Sequence, residues 1–223
     1  MTSRRAEYAQ ATRQAILDAA RTLFVERGYF GTKVEDIARE ARVATATVHA
    51  VGRGKSGLLR TLIEEGTRDD AIPVVLDDLA TIPDPRELIS YLVHATRVLF
   101  EHWSGLMRQV AAAAPQEPSV REAQEIAHQS MRGGFRLAGR RLAALGALRP
   151  DVDEARAADL LWIHLCNAAY FIRTDDLGWS LDDSEAWLNE ALLHALCGTL
   201  TQTAAAGQPG RPNARARRDG DHL

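Results

Sequence analysis

An all-α fold is what this sequence predicts, and three observations predict it. Apolar residues recur at three- and four-residue spacing through most of the chain, and no segment alternates apolar with polar as a half-buried strand does. Helix boundary signals fall between the periodic stretches: Asp84-Pro85, Ser119 with Glu122, Ser180 with Asp183, and Gly28 and Gly146 as stops. The 223 residues can hold a small head and a larger body, each able to bury a core.

Taken in order, Thr2 to Arg5 is a polar, basic arm that frays or lays Arg4 and Arg5 into a minor groove. From about Ala9 to Arg27, Ile16, Leu17, Ala20, Leu23 and Phe24 repeat at helical spacing, and Gly28 caps that helix. Tyr29 and Phe30 read as plugs beneath it. Thr32 with Glu35 makes a capping box that opens a second helix, with Ile37, Ala38 and Ala41 on one face. Val43 falls in a break. A short third helix follows from about Thr45 to Val51, and the small Ala38 lets it cross the second closely, as a helix-turn-helix requires. From Lys55 to about Arg68, a helix with Leu58, Leu59, Leu62 and Ile63 runs into the body.

No helix is assigned to residues 72–83. Asp84, Pro85 and Glu87 then supply an N-cap, an N1 proline and an acidic first turn for a helix carrying Leu88, Leu92, Leu99 and Trp103. After a break over Ala111 to Pro118, the Ser119–Glu122 box opens a long helix with Met131, Phe135, Ala138, Leu142 and Leu145, closed by Gly146 and Pro150. One helix is expected from about Glu154 to Asp175, with Leu161, Leu165, Ala168 and Ile172. Ser180 and Asp183 open the last, which holds Trp187, Leu188, Ala191, Leu192, Ala195 and Leu196. From Ala204 the chain is rich in Gly, Pro, Ala and Arg without core residues, and reads as disordered. The division is therefore 9–68 for the head, 69–203 for the body and 204–223 for the tail.

The formal net charge of −3 conceals an asymmetry. Residues 1–60 carry 11 Lys and Arg against 6 Asp and Glu, a net +5, whereas residues 61–203 carry 12 against 22, a net −10. A basic head on an acidic body suits phosphate binding by the head alone. Residues Gly52 to Ser56 end like a P-loop, but that motif needs glycine at position 49, which is His49, and a preceding strand. No signal-peptide-like or membrane-length apolar run is present, so the protein is expected in the cytoplasm. Cys166 and Cys197 lack metal spacing and read as small core residues. His102, His128 and His164 could converge, but their spacing fits no recurrent metal motif, and no nucleophile–base or paired-carboxylate pattern supports catalysis. No cofactor and no metal are expected.

Gly28, Tyr29, Thr32, Ile37, Ala38, Val43, Thr47, Val48, Lys55, Leu58 and Leu59, in their joint spacing, resemble the DNA-binding head of TetR-type regulators. Four positions depart from that pattern. Arg42 stands for the turn glycine, Ala44 for the cap serine, His49 for a phosphate-contacting tyrosine and Gly52 for an aromatic residue. An atypical recognition helix is expected. A helix-turn-helix dock points Thr45, Ala46 and Thr47 into the major groove, where Thr offers a hydroxyl and a methyl for thymine. Lys55, at a helix start, is expected to clamp a phosphate with nearby amides. With Thr32, Lys33 and His49 these form the candidate DNA-contact set.

The resemblance further implies a body of helices, about nine in the whole chain, that binds a largely apolar small-molecule effector and pairs two copies through a four-helix bundle of the last two long helices. Candidate pocket residues are Phe100, Trp103, Met107, Met131, Phe135, Trp162, Cys166, Asn167 and Tyr170. The function so implied is a ligand-responsive transcriptional regulator, usually a repressor, binding a pseudo-palindromic double-stranded DNA operator as a homodimer. The alternative is a helical ligand carrier or enzyme with a vestigial head.

Overall fold

The computed structural model describes residues 4–68 and 71–197, among which ten α-helices and no strand are found. The expected tail at 204–223 lies outside the described residues. Helix α1 spans Arg4–Arg27, so Arg4 and Arg5 occupy its first turn instead of an extended arm. Its inner face buries Ile16, Leu17, Ala20, Leu23 and Phe24, and Gly28 ends it with φ +78°, the left-handed conformation that suits a glycine past a helix end.

Three short helices complete the head: α2 (Val34–Glu40), α3 (Thr45–Gly52) and α4 (Lys55–Gly66). The expected Thr32–Glu35 capping box is not the one formed. Lys33 occupies the N-cap position of α2, and its amide donates to Asp36 Oδ2 over 3.4 Å. The Thr32 hydroxyl instead turns back to the carbonyls of Leu23 (3.1 Å), in the penultimate turn of α1, and Gly28 (2.8 Å), just past its end.

Helix α5 (Ala71–Thr81) falls on the stretch left unassigned in the sequence. Leu79 is buried there, with Val75 and Leu76 packed alongside, and Pro73 sits in the first turn, where a missing amide is tolerated. Asp84 caps α6 (Pro85–Ala113) as expected, accepting from the Glu87 amide at 2.9 Å. Helix α7 (Pro118–Ala144) begins one residue before the expected Ser119 cap. Glu117 is its N-cap without a side-chain bond, and Pro118 takes N1. Gly146, at φ +64°, closes α7 while the Ala147 amide reaches back to the Leu142 carbonyl.

The single helix expected from Glu154 to Asp175 is broken. Asp153 caps α8 (Glu154–Leu165), Cys166 is extended (ψ 160°), and the chain resumes as α9 (Asn167–Phe171) followed by a π-helical turn over Ile172–Asp176. The break frees the His164 carbonyl, which accepts from Arg173 Nη1 at 3.0 Å. In α10 (Leu181–Cys197) the expected box is present: Ser180 Oγ accepts from the Asp183 amide at 3.0 Å and donates to the Asp183 carboxylate at 2.6 Å.

Two cores result. The first unites α1–α4 with the distal part of α6 (Leu106, Val110, Ala113) and the proximal part of α7 (Val120, Ala123). It therefore runs past Arg68, where the head was expected to end. The second gathers α5, proximal α6, distal α7, α8 and α10 around Leu88, Phe135, Leu161 and Leu192. Among the described residues, no helix is long and apolar enough to cross a membrane.

Candidate DNA-binding surface and ligand cavity

The turn between α2 and α3 is built on Arg42, whose φ of +55° keeps the left-handed geometry that glycine would adopt more easily. A side chain there costs about 1 kcal/mol. The Val43 amide closes the turn on the Ala38 carbonyl at 2.9 Å. Val48 is fully buried and anchors α3 in the first core, leaving Ala46, His49 and Ala50 exposed and Thr45 and Thr47 half-buried on its outer side. Ala44, the N-cap, is extended, and no side chain caps α3, so Thr45 does not replace the missing serine.

Two glycines hold α3 against α4. A Cβ on Gly57 would lie 1.7 Å from the Gly52 carbonyl oxygen, and one on Gly52 would lie 2.4 Å from the Leu58 side chain. Gly52 thus leaves the space that the Leu58 side chain occupies, and a larger residue there would have to displace it. Arg53, between the two helices, is the second non-glycine residue with positive φ, at +54°.

The cations around this surface differ in their freedom. Lys55 Nζ donates to the carbonyls of Tyr29 (2.9 Å) and Thr32 (3.2 Å) and stands 4.4 Å from the Tyr29 ring centre, so it ties α4 to the α1–α2 turn. Two of its three donors are consumed. Thr32 is 1% exposed with its hydroxyl turned inward, which removes its side chain from the reading surface. Arg39 is engaged by Asp36 at 3.0 Å. Lys33, Arg42 and Arg53 are exposed, and among the described residues neither arginine has a side-chain hydrogen bond or ion pair. Sequence reasoning missed Arg42 and Arg53 as contact candidates. The signal was Arg42 at a turn position and Arg53 between two glycines.

The nine pocket candidates do not form one cluster. Phe100 and Tyr170 stack with ring centres 4.5 Å apart and line a cavity of about 10 Å³ with Leu165, Ser184 and Leu188, room for one water. Trp103 and Met107 pack against the first core, Trp103 beneath the Arg21 guanidinium and beside Gly66. Met131, Phe135 and Trp162 belong to the second core, and Cys166 and Asn167 lie at the break after α8. The three histidines do not converge either. His102 meets Arg21, His128 packs edge-on against Trp162, and His164 lies against Trp187. Among the described residues, no group of three His, Cys, Asp or Glu gathers as a metal site.

One residue in the body went unnoticed in the sequence. Arg173 is 5% exposed; its Nε donates to Ser184 Oγ at 2.8 Å and its Nη1 to the His164 carbonyl, while Nη2 has no partner. Burial pushes its pKa down, partly opposed by Cys166 and Tyr170 nearby. Periodicity assigns position 173 only to a helix, so nothing in the pattern marks it.

A basic three-helix head that presents an exposed short third helix, packed on a larger helical body, defines a helix-turn-helix DNA-binding protein. Residues 16–62 match the family model described as bacterial regulatory proteins, tetR family. The chain is 30% identical over 150 residues to the HTH-type transcriptional regulator BetI of Agrobacterium fabrum, covering 66% of this chain and 69% of that protein. It belongs to the TetR family of transcriptional regulators. Among solved structures, a transcriptional regulator of Saccharomonospora viridis in complex with choline superposes with a TM-score of 0.69 at 25% identity, over 82% of this chain and 96% of that one. The SmeT–triclosan complex gives 0.66 at 22% identity, over 93% and 100%. The latter likeness is one of fold.

Proposed function

We propose that this regulator is an effector-responsive repressor that binds a two-fold DNA operator as a homodimer. The observation that carries this reading is the outer side of α3, where Thr45, Ala46, Thr47 and His49 face away from the core between the unpaired arginines Arg42 and Arg53. In this reading Thr45, Ala46 and Thr47 meet base edges, while Lys33, Arg42 and Arg53 meet phosphates. Pairing through the last long helices is supported by Ile163, Ile172, Leu177 and Trp187, large apolar residues 44–57% exposed on α8, α10 and the segment between them. Choline and triclosan in the structures of similar proteins support a small-molecule effector bound in the body.

A core shared by α4, distal α6 and proximal α7 gives the body a mechanical grip on the head. An effector that prefers one arrangement of these helices changes DNA affinity by the same free-energy difference. The test is fluorescence anisotropy with duplex DNA from upstream of its own gene, paired with light scattering for stoichiometry. The reading expects two chains per site and sequence-dependent affinity. Binding that is indifferent to sequence, or a monomer on DNA, would refute it.

A further inference from the structure

Helix α7 carries two consecutive glycines, Gly133 and Gly134, in its interior, where glycine is the least favourable residue after proline. Packing requires neither. A Cβ on Gly133 would meet nothing within 4 Å, and one on Gly134 would meet only the tip of the Leu76 side chain at 3.4 Å, an ordinary contact. Among the described residues, every other glycine has a cause in the structure. It takes a positive φ, as Gly146 does, or a Cβ on it would come within 3.3 Å of a neighbouring atom, as at Gly105 and Gly139.

Their place along α7 is the second observation. The proximal part of the helix packs on the first core through Ala123 and Ala127, and the distal part packs on the second from Met131 and Phe135 onward. No residue of α7 between Ala123 and Phe135 is buried, so the glycines end the stretch that joins the two cores. Helix α6 makes the same passage differently. It keeps Thr96, Phe100 and Leu106 buried, and a Cβ on its Gly105 would stand 3.1 Å from Val25 of α1. One strut is thus packed along its passage, and the other is loose at a point where paired glycines let a helix bend.

We propose that Gly133 and Gly134 form a hinge built into α7, about which the head and proximal α7 tilt on α6 while Phe135, Ala138 and Leu142 stay seated in the second core. This inference rests on the effector-responsive reading above and supplies the moving part it needs, a helix with two arrangements that operator and effector can each bias. Arg132, its guanidinium 4.4 Å from the Trp162 ring centre, and His128, edge-on to the same ring, tie the head side of the hinge to α8. A change in the setting of Trp162 therefore reaches the hinge within about one turn. A weak helical site at a working joint exchanges stability for motion.

The experiment uses the full chain and three variants: Gly133→Ala, Gly133→Ala combined with Gly134→Ala, and Ser130→Ala, an exposed helix-favouring control about one turn away. The readouts are thermal melting, hydrogen exchange and fluorescence anisotropy with duplex DNA from upstream of its own gene. In the parent, protection factors taken relative to intrinsic rates should dip at residues 133–138, about tenfold or more below those at 139–143 nearer the helix end. The double variant should melt about 4 °C higher. It should also erase the dip and change operator affinity by about fivefold or more, because straight and bent forms differ in affinity. Gly133→Ala, whose methyl enters open space, should show the same changes in lesser degree, which separates stiffening from any contact with Leu76. Ser130→Ala should leave both the dip and the affinity as in the parent. The inference is overturned if α7 is evenly protected in the parent, if the double variant gains stability with operator affinity unchanged, or if Ser130→Ala shifts affinity equally. In each of those cases sequence-specific binding by the parent leaves the regulator reading standing. A parent chain blind to DNA sequence removes that reading and the inference with it.

Discussion

The Tyr29 hydroxyl donates to Glu117 Oε1 over 2.8 Å, and the Tyr29 amide donates to Gln109 Oε1 over 2.9 Å, so a residue at the end of α1 is fastened to the end of α6 and the turn into α7. Tyr29 is also fully packed against Phe24 in the first core. One residue thus joins the helix-turn-helix head to the helices of the body.

Burial first, and Glu117 second, raise the Tyr29 pKa above its usual 10, which favours the neutral phenol in the folded state. Its contribution is complete below pH 10 and is lost as pH climbs toward the raised value, since the unfolded chain releases that proton first. Chemical denaturation between pH 9 and 11 should show stability falling, and Tyr29→Phe should flatten that decline while costing about 1–3 kcal/mol at pH 7. An unchanged alkaline slope in the variant would assign the loss to other groups.

Asp175 behaves in the opposite sense. The paired bonds from Arg108 bring its pKa down from 3.8 to about 2, so its contribution is present above pH 4 and fades as pH falls toward 2. Arg108 also lies 4.8 Å above the Phe171 ring, so the pair pins α9 and the π-turn to α6. Protection factors for hydrogen exchange over residues 167–176, taken relative to the intrinsic rate at each pH, should fall below pH 4, and Asp175→Asn should show that lower protection already at pH 7.

The basic residues of the head should separate by role. Arg53→Ala should weaken binding to all DNA sequences and lower the salt slope by about 1 with the melting temperature unchanged. Lys55→Ala should lower stability as well, because the Tyr29 and Thr32 carbonyls lose their donor. Arg42→Gly should weaken DNA binding yet raise stability by about 1 kcal/mol, relieving the left-handed strain. Thr47→Ala should chiefly relax specificity. Identical thermal and DNA profiles for Arg53→Ala and Lys55→Ala would contradict this division.

Gly57→Ala places a methyl 1.7 Å from a backbone oxygen, which no rotamer can avoid. A loss of roughly 3 kcal/mol or more is expected, read as a fall in melting temperature or failure to accumulate soluble protein. Wild-type melting would show that α3 and α4 can separate freely.

Much of the fold was legible because its signals are local. Gly28, the Asp84-Pro85-Glu87 start and the Ser180–Asp183 box each act within one helical turn, and all three operate as their spacing indicates. Thr32 misled because its hydroxyl could serve either of two helices, and it is turned back to the Leu23 and Gly28 carbonyls instead of forward to the amides of α2. Helix α5 was hidden by the prolines around it. The break at Cys166 was illegible for another reason: it is accompanied by Arg173 donating to the freed His164 carbonyl, a contact that no periodicity encodes. The same holds for the site. The exposed face of α3 follows from pattern, whereas the occupation of Lys55 and the isolation of Arg173 are properties of three-dimensional neighbours.

The first core has a consequence for protein engineering. Leu106, Val110 and Ala113 of α6 and Val120 of α7 complete it, so cutting the chain after residue 68 removes part of the head's own interior. Chimeras that graft this reading head onto a foreign sensor must carry the facing ends of those two helices as well. Helices α5, α8 and α10 of the second core contribute nothing to that interior and can be exchanged without opening it.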